Sequence, residues 1–223
     1  MYYVPIGRYN MTVFIAGASG FIGQNLINEL KDIPNVSIRA LSRRLDRLVE
    51  VVDGVTWVKG NLYSMYDIER AMKNCDVAIY LVHSMMPSAQ LNQGSFEDFD
   101  LLLADNFARA ADKNCVRQVV YLGGLLPNTP SEELSSHLKS RHEVEEVLFN
   151  HPVPATVLRA SIVIGKNGSS FRIVENLIRR LPVLICPQWF DKATQPIDVR
   201  DISRAIVHCL LNHTFCFGTC QCV

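Results

Sequence analysis

Three glycines in the segment Gly17-Ala18-Ser19-Gly20-Phe21-Ile22-Gly23 form the pattern that points most directly to chemistry. They follow a short apolar run and precede a stretch with helical spacing. A glycine turn at the start of a helix lets backbone N–H groups approach a phosphate, and the helix N-terminus adds positive potential. Because the spacing is G-x-x-G-x-x-G rather than G-x-G-x-x-G, the strand-turn-helix context carries the prediction. We predict a pyrophosphate site, with Ser19 as a hydroxyl donor; the alternative is a structural turn.

Two adjacent arginines, Arg43 and Arg44, follow the second predicted strand. Arg43 stands about 20 positions beyond Gly23, where dinucleotide sites place an acidic residue against the ribose 2′-OH. A guanidinium instead offers a planar set of donors that matches a 2′-phosphate. The alternative is a solvated edge, with Asp46 within reach of a surface pair. The position of the arginines favours NADP over NAD as the ligand.

Predicted strands and helices alternate along the chain, and these elements would position the glycines and arginines. Short apolar runs rich in β-branched residues are followed by longer stretches with helical spacing, which is typical of βαβ units on a parallel sheet. The predicted strands are Thr12–Ala16, Val36–Leu41, Val55–Lys59, Val77–Val82, Gln118–Leu122 and Ala155–Ile164. The sequence therefore predicts an α/β fold with a doubly wound parallel sheet, the Rossmann fold.

Three predicted helices each carry an apolar stripe that would pack on this sheet. The stripes are Ile22, Leu26 and Leu30; Met65, Ile68 and Met72; and Phe96, Phe99, Leu103, Phe107 and Ala110. Ser64 and Asp198, each with an aspartate three residues later, predict the N-termini of two helices, the second over Val199–Leu211.

We expect one nucleotide-binding domain over residues 11–212, with a small, incomplete substrate-side lobe from about residue 165. Residues 1–10 would be an N-terminal extension, since Met11 stands directly before the first strand. Residues 213–223 lose periodicity and are predicted to be an irregular, truncated tail. The cluster His208, Cys209, His213, Cys216, Cys220 and Cys222 lacks paired C-x-x-C spacing, so we predict no metal site.

Charge and hydropathy limit the partners. Basic and acidic residues both number 22, so there is no basic excess to attract nucleic acid or an anionic membrane. No run approaches the roughly 20 apolar residues of a membrane helix, and the N-terminus lacks the apolar core of a signal peptide. We predict a cytoplasmic protein whose partner is a small-molecule substrate or another protein, and the oligomeric state stays open.

Further segments resemble the short-chain dehydrogenase/reductase superfamily in its extended or atypical branch. Gly60-Asn61-Leu62 resembles the stretch after strand three that contacts adenine, although the family more often has Asp where Asn61 stands. Leu81-Val82-His83 stands where the strand-four turn lines the cofactor. Leu158-Arg159-Ala160-Ser161 with Gly165 resembles the L-R-P…G run before the substrate region. Together with residues 141–145, which resemble an S-K-A-E-A-E helix, these segments point to the NmrA-like NAD(P)H-binding proteins.

The resemblance also shows which catalytic groups this chain lacks. Active members use a Tyr-x-x-x-Lys pair, in which the lysine lowers the tyrosine pKa, together with a Ser or Thr. His137 and Arg141 occupy the matching positions, and the serine position reads Gly123-Gly124. Histidine titrates near neutrality and would serve as acid or base, whereas Arg141 would clamp the nicotinamide ribose without relaying protons. His83 is the other ionisable group expected near the nicotinamide, and both histidines also fit purely structural roles.

Two functions follow from the resemblance. One is an NADP-dependent oxidoreductase or epimerase in which His83 or His137 replaces the tyrosine. The other is a non-catalytic NADP(H) binder whose conformation a protein partner reads. The missing Tyr, Lys and Ser favour the second function, and the wider superfamily favours the first.

Overall fold

The computed structural model describes residues 10–47, 53–83, 96–127, 134–166, 168, 172, 175–176, 179–180, 195–212 and 218–221. The predicted N-terminal extension, except Asn10, and the middle of the predicted substrate-side lobe, residues 181–194, lie outside these residues.

The strands of the described residues are β1 (Met11–Ala16), β2 (Val36–Ser42), β3 (Val55–Lys59), β4 (Val77–Tyr80), β5 (Gln118–Gly124), β6 (Ala155–Ala160), β7 (Val163–Ile164), β8 (Ile197–Asp198) and β9 (Gly218–Gln221). The helices are α1 (Phe21–Leu30), α2 (Met65–Met72), α3 (Phe96–Lys113), α4 (Ser136–Phe149) and α5 (Val199–Leu211). None of these helices is long and apolar enough to cross a membrane.

Seven strands form one parallel sheet in the order β3-β2-β1-β4-β5-β6-β9. Every residue of β4 and β5 is buried, as expected for central strands with helices on both faces. The chain crosses from β3 back past β1 to β4, so the strand order reverses between β1 and β4. Open α/β sheets bind their ligands at the carboxyl ends of the strands beside such a reversal.

The two faces of the sheet carry separate apolar cores. On one face, α1 and α5 cover the sheet through side chains such as Leu26, Leu30 and Ile206. On the other face, α2, α3 and α4 cover it through side chains such as Met72 and Phe107. The doubly wound Rossmann fold predicted from the sequence is confirmed.

Both predicted helix N-termini form, with Ser64 as the N-cap of α2 and Asp198 as the N-cap of α5. The Ser64 Oγ accepts a hydrogen bond from the Asp67 N–H at 3.2 Å. Asp198 caps α5 by accepting from the Arg200 N–H at 2.8 Å. Asp67 accepts from the Asn61 N–H rather than from the residue that caps α2.

Two strands end earlier than predicted, and β5 runs two residues further, to Gly124. The strand predicted to end at Val82 stops at Tyr80, and this frees the following residues to line the sheet edge. The predicted strand Ala155–Ile164 is two strands, because β6 loses its neighbour where β5 ends at Gly124. The chain turns there, and Val163–Ile164 pairs in parallel with Ile197–Asp198.

The prediction of an irregular tail is wrong for residues 218–221. These residues form β9 and pair in parallel with Thr156–Arg159 of β6. Without β9, that side of β6 would expose unpaired backbone N–H and C=O groups, which readily accept another strand. Residues 199–211 form the predicted helix, α5, and it packs against α1 on the main sheet rather than in a separate lobe.

A buried ion pair fixes α4 to β6. The Arg159 guanidinium donates from Nη2 and Nε to the two carboxylate oxygens of Glu145 at 2.7 and 3.0 Å. The Glu145 side chain is 6% exposed and that of Arg159 is 16% exposed. Removing one partner of such a pair leaves the other charge buried and uncompensated.

We therefore expect Glu145→Gln to lower the free energy of unfolding by about 3–5 kcal/mol, measured by urea denaturation. Glu146→Gln is the matched control, because Glu146 is the next residue of α4 and its side chain is 61% exposed. The control should change stability by less than about 0.5 kcal/mol. Equal effects of the two substitutions would show that the buried pair does not hold α4.

Candidate nucleotide-binding and active site

A cleft of about 500 Å³ opens at the carboxyl ends of β1, β4, β5 and β6, beside the reversal of strand order. Its described lining residues come from the loop after β1 and the start of α1, from the ends of β5 and β6, from the segments after β4, β5 and β6, and from the start of α4. They are Gly17, Gly20, Phe21, Ile22, Gly23, Leu81, Val82, His83, Leu122, Gly123, Gly124, Leu125, His137, Leu138, Arg141, Ala160, Ser161, Ile162 and Val163.

At two positions of the loop, other backbone atoms lie so close that only glycine fits. Gly17 has φ +88°, and a Cβ added there would lie 2.9 Å from the backbone carbonyl of Leu81. A Cβ added at Gly23 would lie 2.4 Å from the Gly17 carbonyl oxygen. These contacts hold the loop directly against the ends of β1 and β4.

The N-terminus of α1 is open to an anion. Gly20 is the N-cap residue, so no side chain accepts a hydrogen bond from the first turn, and that turn contains no acidic residue. Uncapped N–H groups at a helix N-terminus bind phosphate or carboxylate oxygens. The loop therefore fits the pyrophosphate of a dinucleotide, through backbone groups that a larger residue at either glycine would obstruct.

Other parts of the predicted cofactor site lie along the same side of the sheet, outside the cleft lining. Ser19 is exposed on the loop. Arg43 and Arg44 are exposed after β2, which is the neighbour of β1. Within the described part of the chain neither arginine has a carboxylate within 4.0 Å, so the surface pair with Asp46 does not form there.

The predicted adenine segment divides into an exposed and a buried residue. Asn61 is exposed, and its side-chain oxygen accepts from the Tyr63 N–H at 3.3 Å. Leu62 is buried in the core of that face, and its carbonyl accepts from Asn106 at 3.1 Å. The Leu62 side chain therefore supports the segment from below, and only Asn61 is free to face a ligand.

The ionisable residues predicted from α4 and the strand-four turn come together at one end of the cleft. The rings of His83 and His137 meet edge to face with 4.5 Å between their centroids. Arg141 lies one helical turn from His137 and lines the same cleft. Val144 and Leu148 pack on the sheet as predicted, and this turns His137 and Arg141 toward the cleft.

Asp100 on α3 is a functional candidate that the sequence analysis missed. It is buried, and its Oδ2 lies 3.6 Å from the Nδ1 of His83. The same oxygen accepts from the Ser140 hydroxyl at 3.1 Å. Its position beside Phe99 and Leu103 on the apolar stripe was the available signal, because a carboxylate on a buried helix face requires a partner.

The two histidines of this cluster have different surroundings. Partial burial lowers the pKa of His137, and the neighbouring Arg141 and His83 lower it further. His137 is therefore neutral at pH 7. The Nε2 of His83 is buried and has no hydrogen-bond partner among the described residues. A buried ring nitrogen of this kind is available to a group that enters the cleft.

Gly124 belongs to the Gly123-Gly124 pair that the family resemblance aligns with the catalytic Ser or Thr. A Cβ added there would lie 2.9 Å from the Leu138 side chain and 3.0 Å from the Arg141 Cδ. Nearby, Tyr121 of β5 donates from its hydroxyl to the Arg141 carbonyl at 3.3 Å, and burial raises its pKa well above the usual range. Arg141 therefore occupies the space that a serine side chain would need.

Gly165, the last residue of the predicted L-R-P…G run, packs beside the glycine loop. A Cβ added there would lie 3.0 Å from the ring of Phe21. Among the described residues, no group of three or more His, Cys, Asp or Glu side chains is arranged to hold a metal ion.

A family model described as NAD(P)H-binding matches residues 17–182. The uncharacterized sugar epimerase YhfK of Bacillus subtilis is 38% identical over 160 residues, which are 67% of this chain and 71% of YhfK. The auxiliary protein GraX of Staphylococcus aureus is 30% identical over 112 residues, which are 50% of this chain and only 36% of GraX. This chain therefore spans about a third of the length of GraX.

Among solved structures, the Bordetella bronchiseptica enzyme WbmG in complex with NAD superposes with a TM-score of 0.78 at 19% identity. The superposition covers 99% of this chain and 74% of WbmG, and it confirms the Rossmann architecture. The family match covers the glycine loop and most of the chain. The chain belongs to the NAD(P)H-binding family.

Proposed function

We propose that this chain is an NADP(H)-binding protein of the atypical, NmrA-like type that transfers hydride as an oxidoreductase or epimerase. The observation that carries the proposal is one cleft that joins an open helix N-terminus to a histidine backed by a buried carboxylate. The loop would hold the pyrophosphate, and Arg43 and Arg44 the 2′-phosphate. A bound nicotinamide would supply or accept the hydride.

His83 is the proton donor or acceptor in this proposal. Its Nδ1 faces the Asp100 carboxylate at 3.6 Å, and its Nε2 is available to the substrate oxygen. In carbonyl reduction the ring carries a proton on both nitrogens, and the Nε2 N–H donates its proton to the oxygen. In alcohol oxidation the Nε2 lone pair accepts the hydroxyl proton, and the carboxylate stabilises the charged ring that forms. Asp100 is thus a positioning residue, and Ser140 fixes it by donating to the same oxygen.

The nucleotide site is tested by Gly20→Asp. Gly20 has φ −78°, which any residue adopts, and a Cβ there approaches only the Gly17 carbonyl oxygen, at 3.2 Å. The introduced carboxylate would cap α1 and repel the pyrophosphate. We expect unchanged or higher thermal stability and loss of NADPH binding in calorimetric titration.

Gly54→Asp is the matched control for this substitution. Gly54 precedes β3, away from the cleft, and a Cβ there meets nothing within 4 Å. Its φ of +81° disfavours a side chain, so the control should lose some stability and keep its NADPH affinity. NADPH affinity that survives Gly20→Asp would move the ligand away from the loop.

The choice between NADP and NAD is tested by Arg43→Asp. The substitution removes a charge-assisted contact to a 2′-phosphate and adds an acceptor for the ribose 2′-OH. We expect the NADPH-to-NADH affinity ratio to fall about tenfold or more, since a hydrogen bond to a charged group contributes about 1.5–3 kcal/mol. The control is Arg109→Asp on α3, whose guanidinium is 64% exposed. An unchanged ratio in Arg43→Asp would mean that Arg43 is only solvated.

The proton-transfer role is tested with NADPH and the carbonyl probes methylglyoxal and phenanthrenequinone. His83→Phe should lower kcat/KM about 100-fold or more, the usual range for losing a general acid. His137→Phe should change it less than about threefold, because His137 is neutral at the cleft rim.

Asp100→Asn separates positioning from folding in the same assay. We expect it to lower kcat with little change in KM, while Asp105→Asn on the same helix changes neither. If kcat/KM falls in His137→Phe and not in His83→Phe, the proton donor or acceptor is His137 of α4.

A second candidate function, a non-catalytic NADP(H) binder read by a protein partner, is favoured by the filled space at Gly124. A side chain at position 124 would require Leu138 and Arg141 to shift, and the chain lacks the Ser, Tyr and Lys of the usual relay. NADPH binding with no turnover of either carbonyl probe would select this function.

A further inference from the structure

Arg141 is unusual among the residues that line the cleft. Within the described residues, it is the only lining side chain with a permanent charge, and no aspartate, glutamate or lysine lines the cleft. The guanidinium enters from α4 and passes over Gly124 of β5, where the missing Cβ leaves room for it.

Two partly buried arginines near the ends of β5 and β6, Arg141 and Arg159, differ in how their charge is balanced. Arg159 is bound by both carboxylate oxygens of Glu145. Arg141 has no carboxylate within 4.0 Å in the described part of the chain, and its Nε is buried without a hydrogen-bond partner. Asp100 and Tyr121 attract it only at longer range, and burial lowers its pKa. A buried guanidinium with unused donors fits an anion that enters from the cleft.

The position of Arg141 separates it from the pyrophosphate site. The glycine loop follows β1, whereas Arg141 lies over β5, and β4 stands between these strands. Neighbouring strands are about 4.8 Å apart, so the two sites are about 10 Å apart along the sheet edge. One phosphate cannot contact both sites. His83 and Leu81, on the segment after β4, lie between them.

We propose that Arg141 is a substrate-anion site, and that the cleft takes small carbonyl or alcohol compounds that carry a carboxylate or phosphate group. The guanidinium would hold two oxygens of that group side by side, while His83 faces the reacting oxygen. This inference rests on the proposed function and assigns its substrate class. Its main rival is a clamp on the nicotinamide ribose.

The test uses the full chain saturated with NADP+, so that the glycine loop is occupied. Inorganic phosphate and malonate are titrated separately by calorimetry at constant ionic strength, balanced with sodium chloride. We expect millimolar binding of at least one probe, a loss of at least tenfold in Arg141→Gln, and partial retention in Arg141→Lys. The probe that binds with higher affinity indicates whether the substrate carries a phosphate or a carboxylate group.

Lys139→Gln is the matched control, since Lys139 lies two residues away on α4 with a 52% exposed side chain outside the cleft lining. It removes the same charge from the same helix and should leave anion affinity unchanged. NADPH affinity is measured for every variant and should stay within about threefold of the parent.

Three results would overturn the inference: no binding of either probe, full binding in Arg141→Gln, or a parallel loss of NADPH and anion affinity in Arg141→Gln. The last result identifies a ribose clamp. If the parent does not bind NADP+, the proposed function fails by itself. The same titrations are then made in the Gly20→Asp background, where the loop no longer accepts anions. The comparison of Arg141 variants in that background shows whether Arg141 binds the anion.

Discussion

The site depends on the close contact of backbone with backbone where β1, β4 and α1 meet. At Gly17 and Gly23 there is no space for a Cβ, so the first turn of α1 lies directly against the end of the sheet. This contact points the uncapped N–H groups of α1 into the crevice beside the reversal of strand order. The early end of β4 then lets Leu81, Val82 and His83 line that crevice.

At the other end of the cleft, the positions of His137 and Arg141 depend on how α4 packs against the sheet. Its apolar residues Val144 and Leu148 pack on the sheet, and Glu145 binds Arg159 of β6. These contacts fix both the rotation and the height of the helix, and therefore where Arg141 enters the cleft. A histidine at the rim and a guanidinium over Gly124 are consequences of that rotation.

Periodicity and glycine spacing predicted the parts of the molecule that depend on local sequence. The parallel sheet, the apolar faces of the helices and the glycine loop follow from such patterns, whereas His83, His137 and Arg141 were predicted from the family resemblance. Three features depend instead on contacts between distant segments. The turn after Ala160 forms where β5 ends, β9 adds to an edge that no local pattern marks, and Asp100 meets His83 only through the packing of α3.

The departures from the superfamily pattern are physically linked. The Arg141 Cδ packs beside Gly124, where an added Cβ would lie 3.0 Å from it and 2.9 Å from the Leu138 side chain. A side chain at position 124 would therefore require both neighbours to shift, and a tyrosine at position 137 alone would lack a hydroxyl partner on β5. The buried carboxylate of this cluster lies instead on α3 beside His83, where the Ser140 hydroxyl of α4 donates to it.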